Sequence, residues 1–266
     1  MDRSKKRALE ILDIYLNEVK NVNFIKAIIL VGSLSDDTYT GNAGSDIDLI
    51  HIVSDERDYK LEKDEITSII SKTEAQTGRA VPIAKVVYQE GQIKHPYKYD
   101  FEIKQENKDL LELPIEMFRI IDSGITVYGD DAIRMNIERP TREDIVEMKK
   151  LEKKLEEKAS KDDPEWYKTV IETRKNPSLR MMTQIVLTNA LSDYLYYTDR
   201  SCSSKYYILQ RLEEDYPKLQ YMNLLCLCHK YRFYPEQITT SDEKKMKEEY
   251  QNTFINRPET WGEHET

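Results

Sequence analysis

The sequence predicts an α+β chain: an N-terminal mixed sheet flanked by helices, followed by a C-terminal all-α helical bundle. Three observations carry this reading. Up to roughly residue 135, apolar runs of strand length alternate with segments of helical spacing. Beyond Pro140 every apolar pattern is helical. Between Ile28 and Val53, two apolar runs flank a Gly-Ser turn and a loop rich in Asp, Thr, Gly, Asn and Ser. The division expected is residues 1–138 for the mixed domain, 139–258 for the helical one and 259–266 for a frayed tail.

The elements follow in order. Ser4 to Val22 carries Ala8, Ile11, Leu12, Tyr15, Leu16 and Val19 at helical spacing. Ile28–Val31 is a branched apolar run ended by Gly32-Ser33, and reads as a buried strand. After the polar loop to Ser45, Asp46 to Val53 reads as a second strand, with Asp46 and Asp48 on one face and Ile47 and Leu49 on the other. His51 on that strand reads as a packed or hydrogen-bonded histidine. Asp58 to Gln76 is helical, with Leu61, Ile66, Ile69 and Ile70 inward and Gly78 closing it. Val81 to Tyr88 is a strand whose Pro82 points to an edge or first-residue position. Tyr99 to Lys104 alternates and reads as a strand, and Asn107 to Ser123 as a helix stopped by Gly124. Ile125–Gly129 is short and extended and runs into an acidic turn, Asp130-Asp131. Thr141 opens a charged helix with a capping-box pattern to Asp144. Helices are then expected at Glu165–Arg174, Pro177–Tyr197, Ser203–Glu214, Pro217–Phe233 and Asp242–Asn252.

Composition narrows the function classes. The 266 residues are 39% hydrophobic and 33% charged, which suits one large or two modest soluble domains. A net charge of −9 argues against a nucleic-acid partner, which calls for a basic face, and fits a small cationic substrate better. Three cysteines, an odd number, point to a reducing cytoplasm and no disulfide framework. Cys226-Leu227-Cys228-His229 lies in an apolar helical run without a second ligand pair, so helix core is the reading, not a metal site. The N-terminus has no apolar core of signal-peptide type, and no stretch reaches membrane-spanning length.

Two carboxylates on one strand face shortly after a Gly-Ser turn suit a divalent cation and the phosphates it carries. Mg²⁺ prefers oxygen ligands and is usually held by one or two carboxylates plus substrate phosphate. Gly32-Ser33 followed by Asp46-Ile47-Asp48 resembles the signature of the DNA polymerase β-like nucleotidyltransferase superfamily. Within it the chain most resembles bacterial aminoglycoside (streptomycin/spectinomycin-type) adenylyltransferases. The matching strings, in order, are Arg79-Ala80-Val81, His95-Pro96-Tyr97-Lys98, Glu112-Leu113-Pro114 through Val127-Tyr128-Gly129, Ile185 to Thr188 and Ser204-Lys205-Tyr206. They span nearly the whole chain, but only the Gly-Ser and Asp-x-Asp motif is specific.

The resemblance implies transfer of AMP from Mg-ATP to a hydroxyl of a small, antibiotic-like acceptor bound between the two domains. It implies that Asp46 and Asp48 bind Mg²⁺, that Gly32, Ser33 and Ser45 belong to the nucleotide site, that Glu112 lies near nucleotide and metal, and that Lys205 reaches the phosphates. One departure stands out. The family carries a third carboxylate, a metal ligand or general base, where this chain has Pro82. Asp100 and Glu102, on one face of the next expected strand, are the replacements, with Glu102 favoured as the catalytic carboxylate; otherwise the chain transfers nucleotide poorly or to another acceptor. Two rival readings stay open: a protein-directed AMP transferase of toxin–antitoxin type, and a non-catalytic nucleotide-binding protein that lost the third acid.

Overall fold

A computed structural model describes residues 3–41, 45–56, 58–94 and 117–255. It divides into two compact units, Met1–Arg139 and Pro140–Thr266.

The first unit is built on a four-stranded mixed sheet. Its strands are β1 (Ile25–Val31), β2 (Ile47–Val53), β3 (Ile83–Gln89) and β4 (Ile125–Gly129), in the order β3-β2-β1-β4. β1 pairs antiparallel with β2 and with β4, whereas β2 and β3 run parallel. The parallel pair is joined by α2 (Tyr59–Gln76), because a parallel return needs a crossover connection. Ile28, Leu30, Ile47, Leu49 and Val53 pack against α1 (Arg3–Val19) and α2 in one apolar core. Ala27, Ile29, Ile50 and Ile52 are equally buried, so both faces of the central strands are covered. That is why their sequences read as unbroken apolar runs. The first strand extends three residues further toward the N-terminus than its Ile28 start suggested, and β2 starts at Ile47, one residue after Asp46.

α1 buries Ala8, Ile11, Leu12, Tyr15 and Val19, the stripe that its spacing predicts. α2 is capped by Asp58, whose carboxylate accepts from the N–H groups of Lys60 and Leu61. Its buried stripe is Glu62, Ile66, Ile70 and Thr73. Leu61, expected inward, is instead 61% exposed: the cap fixes the helix phase, and the i, i+4 row through Ile66 begins at Glu62. Gly78, at φ +67°, ends the helix as expected. Among the described residues β3 is an edge strand, and Pro82 stands just before it. α3 (Glu90–Lys94) follows β3. Arg119–Ser123 forms a π-helical turn that leads through Gly124 into β4, and α4 (Asp131–Met135) is capped by Asp130. The expected strand at Tyr99–Lys104 and the first part of the helix expected from Asn107 lie outside the described residues.

The second unit is helical among its described residues: α5 (Arg142–Asp162), α6 (Pro164–Lys175), α7 (Leu179–Thr198), α8 (Ile208–Asp215), α9 (Met222–Phe233) and α10 (Thr240–Glu249), the last continued by a π-helical turn, Tyr250–Ile255. α7 is central. Every residue from Leu191 to Tyr196 is buried, Asp193 accepting a bond from the Tyr221 hydroxyl. The capping box at α5 is present: Thr141 N–H donates to Asp144 at 2.7 Å, and Asp144 N–H donates to the Thr141 hydroxyl at 3.3 Å.

Two helix starts differ from expectation. α8 begins at Ile208, not Ser203, because the Tyr206 carbonyl takes its bond from His229 at 2.7 Å and the Ser204 hydroxyl caps Tyr206 N–H. α9 begins at Met222, not Pro217; Leu219 and Met222 close successive short turns first. Cys226, Cys228 and His229 lie on α9 as helix packing, with burial pushing the Cys228 thiol up to about 12. Among the described residues no helix is long and apolar enough to cross a membrane.

Candidate functional site

The sheet brings Gly32 and Asp48 together. In the β1–β2 register Val31 lies opposite Asp48, so Gly32, the next residue, leaves the strand beside that carboxylate. Gly32 opens a 3₁₀ turn, Gly32–Leu34, at φ +76°. Its carbonyl accepts from the N–H groups of Ser35 and Asp36, and from the Ser35 hydroxyl at 2.8 Å. A Cβ at Gly32 would lie 2.3 Å from Asp48 Oδ2 and 2.9 Å from Arg119 Nη2. The position therefore requires glycine twice, for its backbone conformation and for the space that two charged groups fill.

Asp48 is half-buried, and its Oδ2 accepts from Arg119 Nη2 at 3.1 Å. Asp46 stands one residue ahead of β2 and is also half-buried, as are Ser33 and Ser45. Ile47 N–H donates to the Pro82 carbonyl at 2.9 Å. Because Ile47 pairs with Ile83 in parallel register, Pro82 is the residue alongside Asp46, and Ala84 alongside Asp48. The strand from Ile83 to Gln89 contains no carboxylate. The third acid, if the chain has one, does not come from this strand.

His51, further along β2, is fully buried and bonds the Tyr15 hydroxyl at 2.7 Å, as its packed reading predicts. Burial pushes its imidazole down to about 4 and raises the Tyr15 phenol above its ordinary range.

Glu102, Asp100 and Glu112 lie outside the described residues. Lys205 lies in the turn that precedes α8, half-buried, in the second unit. Among the tyrosines of the second unit, Tyr194 and Tyr196 are buried in the helix core, and Tyr197 stacks on Tyr216 with ring centroids 4.3 Å apart. Arg119 is the residue that the motif reading missed. The signal was a lone cation between Met117-Phe118 and Ile120-Ile121, an apolar setting that demands an acidic partner.

The donor set fits a hard divalent cation. Asp46 and Asp48 carry the carboxylate oxygens that such a cation prefers, and Asp48 lies against the Gly32 turn. Among the described residues no group of three or more His, Cys, Asp or Glu side chains is placed to share an ion.

No protein-family model matches the sequence, and no curated protein does. Among solved structures, the chain is similar to spectinomycin adenyltransferase AAD(9) from Enterococcus faecialis, crystallised with ATP and spectinomycin. The TM-score is 0.55 at 14% identity, over 92% of this chain and 96% of that one. The chain thus shares its fold with that adenyltransferase.

Proposed function

We propose that this protein transfers AMP from Mg-ATP to a hydroxyl of a small, cationic, aminoglycoside-like molecule and releases pyrophosphate. The observation that carries the reading is the junction of Gly32 and Asp48, where a left-handed glycine opens a turn against a β2 carboxylate. Its fold is that of an enzyme crystallised with ATP and an aminocyclitol, which supports a nucleotide substrate and a small acceptor.

In this reading Asp46 and Asp48 hold the divalent ion, and Gly32, Ser33 and Ser45 form the wall along which the triphosphate lies. The ion's part, when bound, is to neutralise charge on the transferred phosphoryl group and its leaving pyrophosphate. The acceptor oxygen attacks the α-phosphorus, the bond from that phosphorus to the bridging oxygen breaks, and the hydroxyl proton passes to a base. β3 offers no carboxylate for that proton. Glu102 remains the proposed base, Glu112 a proposed acid near the nucleotide, and Lys205 a proposed phosphate ligand.

The missing acid of β3 favours one second reading, a chain that binds nucleotide without transferring it. Calorimetry with ATP, with and without Mg²⁺, on wild type and Asp48→Asn tests the shared part. Binding is expected to need Mg²⁺ and to fall by roughly tenfold or more in the variant, the cost of one charged ligand. Binding indifferent to both would remove the metal assignment. Pyrophosphate release across aminoglycosides, spectinomycin and lincosamides separates the two readings. Release with any acceptor supports transfer, and ATP binding with silence throughout supports the non-catalytic chain. Unchanged turnover in Glu102→Gln would remove Glu102 as the base.

A further inference from the structure

We infer that Arg119 is a resident cation of this site: it holds Asp48 before a divalent ion arrives and passes to the triphosphate once that ion is bound. The inference rests on the nucleotide reading above and adds to it a residue that the motif does not contain.

Three observations place Arg119 in this role. Its guanidinium donates to Asp48 Oδ2 at 3.1 Å, and the pair is largely shielded, with the two side chains 17% and 28% exposed. Its neighbours Met117, Phe118 and Ile120 are buried core residues, so the guanidinium stands in apolar surroundings beside an acid that receives it. It also opens the π-helical turn Arg119–Ser123, after which Gly124 N–H returns to the Ile120 carbonyl in an ordinary i+4 bond at 3.2 Å. Single π-turns cost hydrogen-bond geometry and recur where a side chain has been re-aimed for function.

Electrostatics then gives a sequence of events. Asp46 and Asp48 lie two residues apart, and their like charges favour a nearby cation at all times. Without a divalent ion, the guanidinium supplies it at Asp48. A divalent ion that takes Asp48 repels the guanidinium and competes for the same oxygen. An ion arriving with ATP also brings phosphate oxygens, and a planar fork of N–H donors matches phosphate as well as it matches carboxylate. The exchange therefore swaps one anion for another at the same arginine. The Gly32 Cα, with no Cβ, is what lets Asp48 Oδ2 and Arg119 Nη2 both approach the turn.

A purely structural ion pair makes a different prediction, and the difference is one of sign. Mn²⁺ binding to the full chain is measured by paramagnetic resonance, with and without ATP, on wild type, Arg119→Ala and Arg119→Lys, with melting curves as a folding control. Arg119→Ala is expected to bind Mn²⁺ alone roughly threefold to tenfold more tightly, because the competitor is gone. It is expected to bind Mn-ATP roughly tenfold more weakly, because a charged phosphate contact is lost. Arg119→Lys keeps the charge without the fork and falls between the two on both measures; should Arg119→Ala fail to fold, Arg119→Lys decides on the same pair of signs. Changes of the same sign in both measurements, or none in either, overturn the role of Arg119. If wild type then still binds Mn-ATP through Asp48, the nucleotide reading stands without Arg119. A wild-type chain that binds neither Mn²⁺ nor Mn-ATP overturns both.

Discussion

At Gly32 two demands meet on one residue. The backbone sits at φ +76°, where any side chain is strained, and the missing Cβ is the space that Asp48 and Arg119 occupy. Gly32→Ala is therefore expected to destabilise the chain by roughly 1–3 kcal/mol and to weaken Mg-ATP binding by roughly tenfold or more. Urea unfolding and calorimetry check the two halves, and an alanine variant that matches wild type in both would mean that neither demand is real. His51 carries a different prediction. Its imidazole is buried and neutral against Tyr15 of α1, with Lys85 of β3 also lowering its affinity for a proton, so its folded value of about 4 lies below the unfolded 6.5. A depressed folded pKa means that the unfolded chain takes up the proton first. The stabilisation is complete above about 6.5 and is lost as pH falls toward 4. By pH near 4.5 the loss amounts to roughly 2–3 kcal/mol, and His51→Gln should remove it from the pH dependence of the urea midpoint. The same two residues show what a sequence can disclose at this scale. A histidine on an apolar strand has few choices beyond burial with one partner, and His51 follows. Arg119 shows locally as a cation among apolar residues, but its partner Asp48 stands 71 positions away, and no local pattern names it.

At the scale of elements, legibility tracks whether the signal is local. The start of α5 is written in Thr141 and Asp144 alone, and both bonds of the box are made. Thr141→Ala should cost about 1 kcal/mol, the usual worth of an N-cap, measurable as a lowered thermal midpoint with nucleotide binding unchanged. An unaltered midpoint would show that α5 is held by its packing and not by its cap. The start of α8 was misread for the opposite reason. Ser203 and Ser204 look like cap residues, but the Tyr206 carbonyl is claimed by His229 from α9, a tertiary bond that delays the helix to Ile208. Leu61 failed on phase: its spacing to Ile69 is helical, yet the buried row runs through Glu62, Ile66 and Ile70. β3 is the element with the largest functional consequence. Its first residue pairs with Ile47, which sets Pro82 against Asp46 and Ala84 against Asp48, so neither neighbour on β3 is a carboxylate.

At the scale of the whole molecule, the chain divides into compact units at Arg139 and Pro140, and its apolar periodicity turns purely helical near the same point; sheet and bundle bury their apolar residues at different periods. What periodicity does not encode is the acceptor, since an acceptor site is a set of polar side chains from several elements. Charge is the whole-chain property that bears on it. A net −9 concentrates cations near the protein and speeds their encounter, and that contribution is screened by salt. Raising salt from about 0.1 M to about 1 M shortens the Debye length from ~10 Å to ~3 Å. Under the proposed activity, KM for a polycationic aminoglycoside should rise severalfold over this range, while a weakly charged lincosamide should change little. Mg-ATP complicates the measurement, since its own charge makes its binding salt-dependent. It is therefore held saturating at each salt concentration, which leaves the acceptor as the variable. Parallel salt responses for both acceptor types would show that the acidity serves solubility alone. Divergent responses would tie the charge of the chain to its choice of substrate.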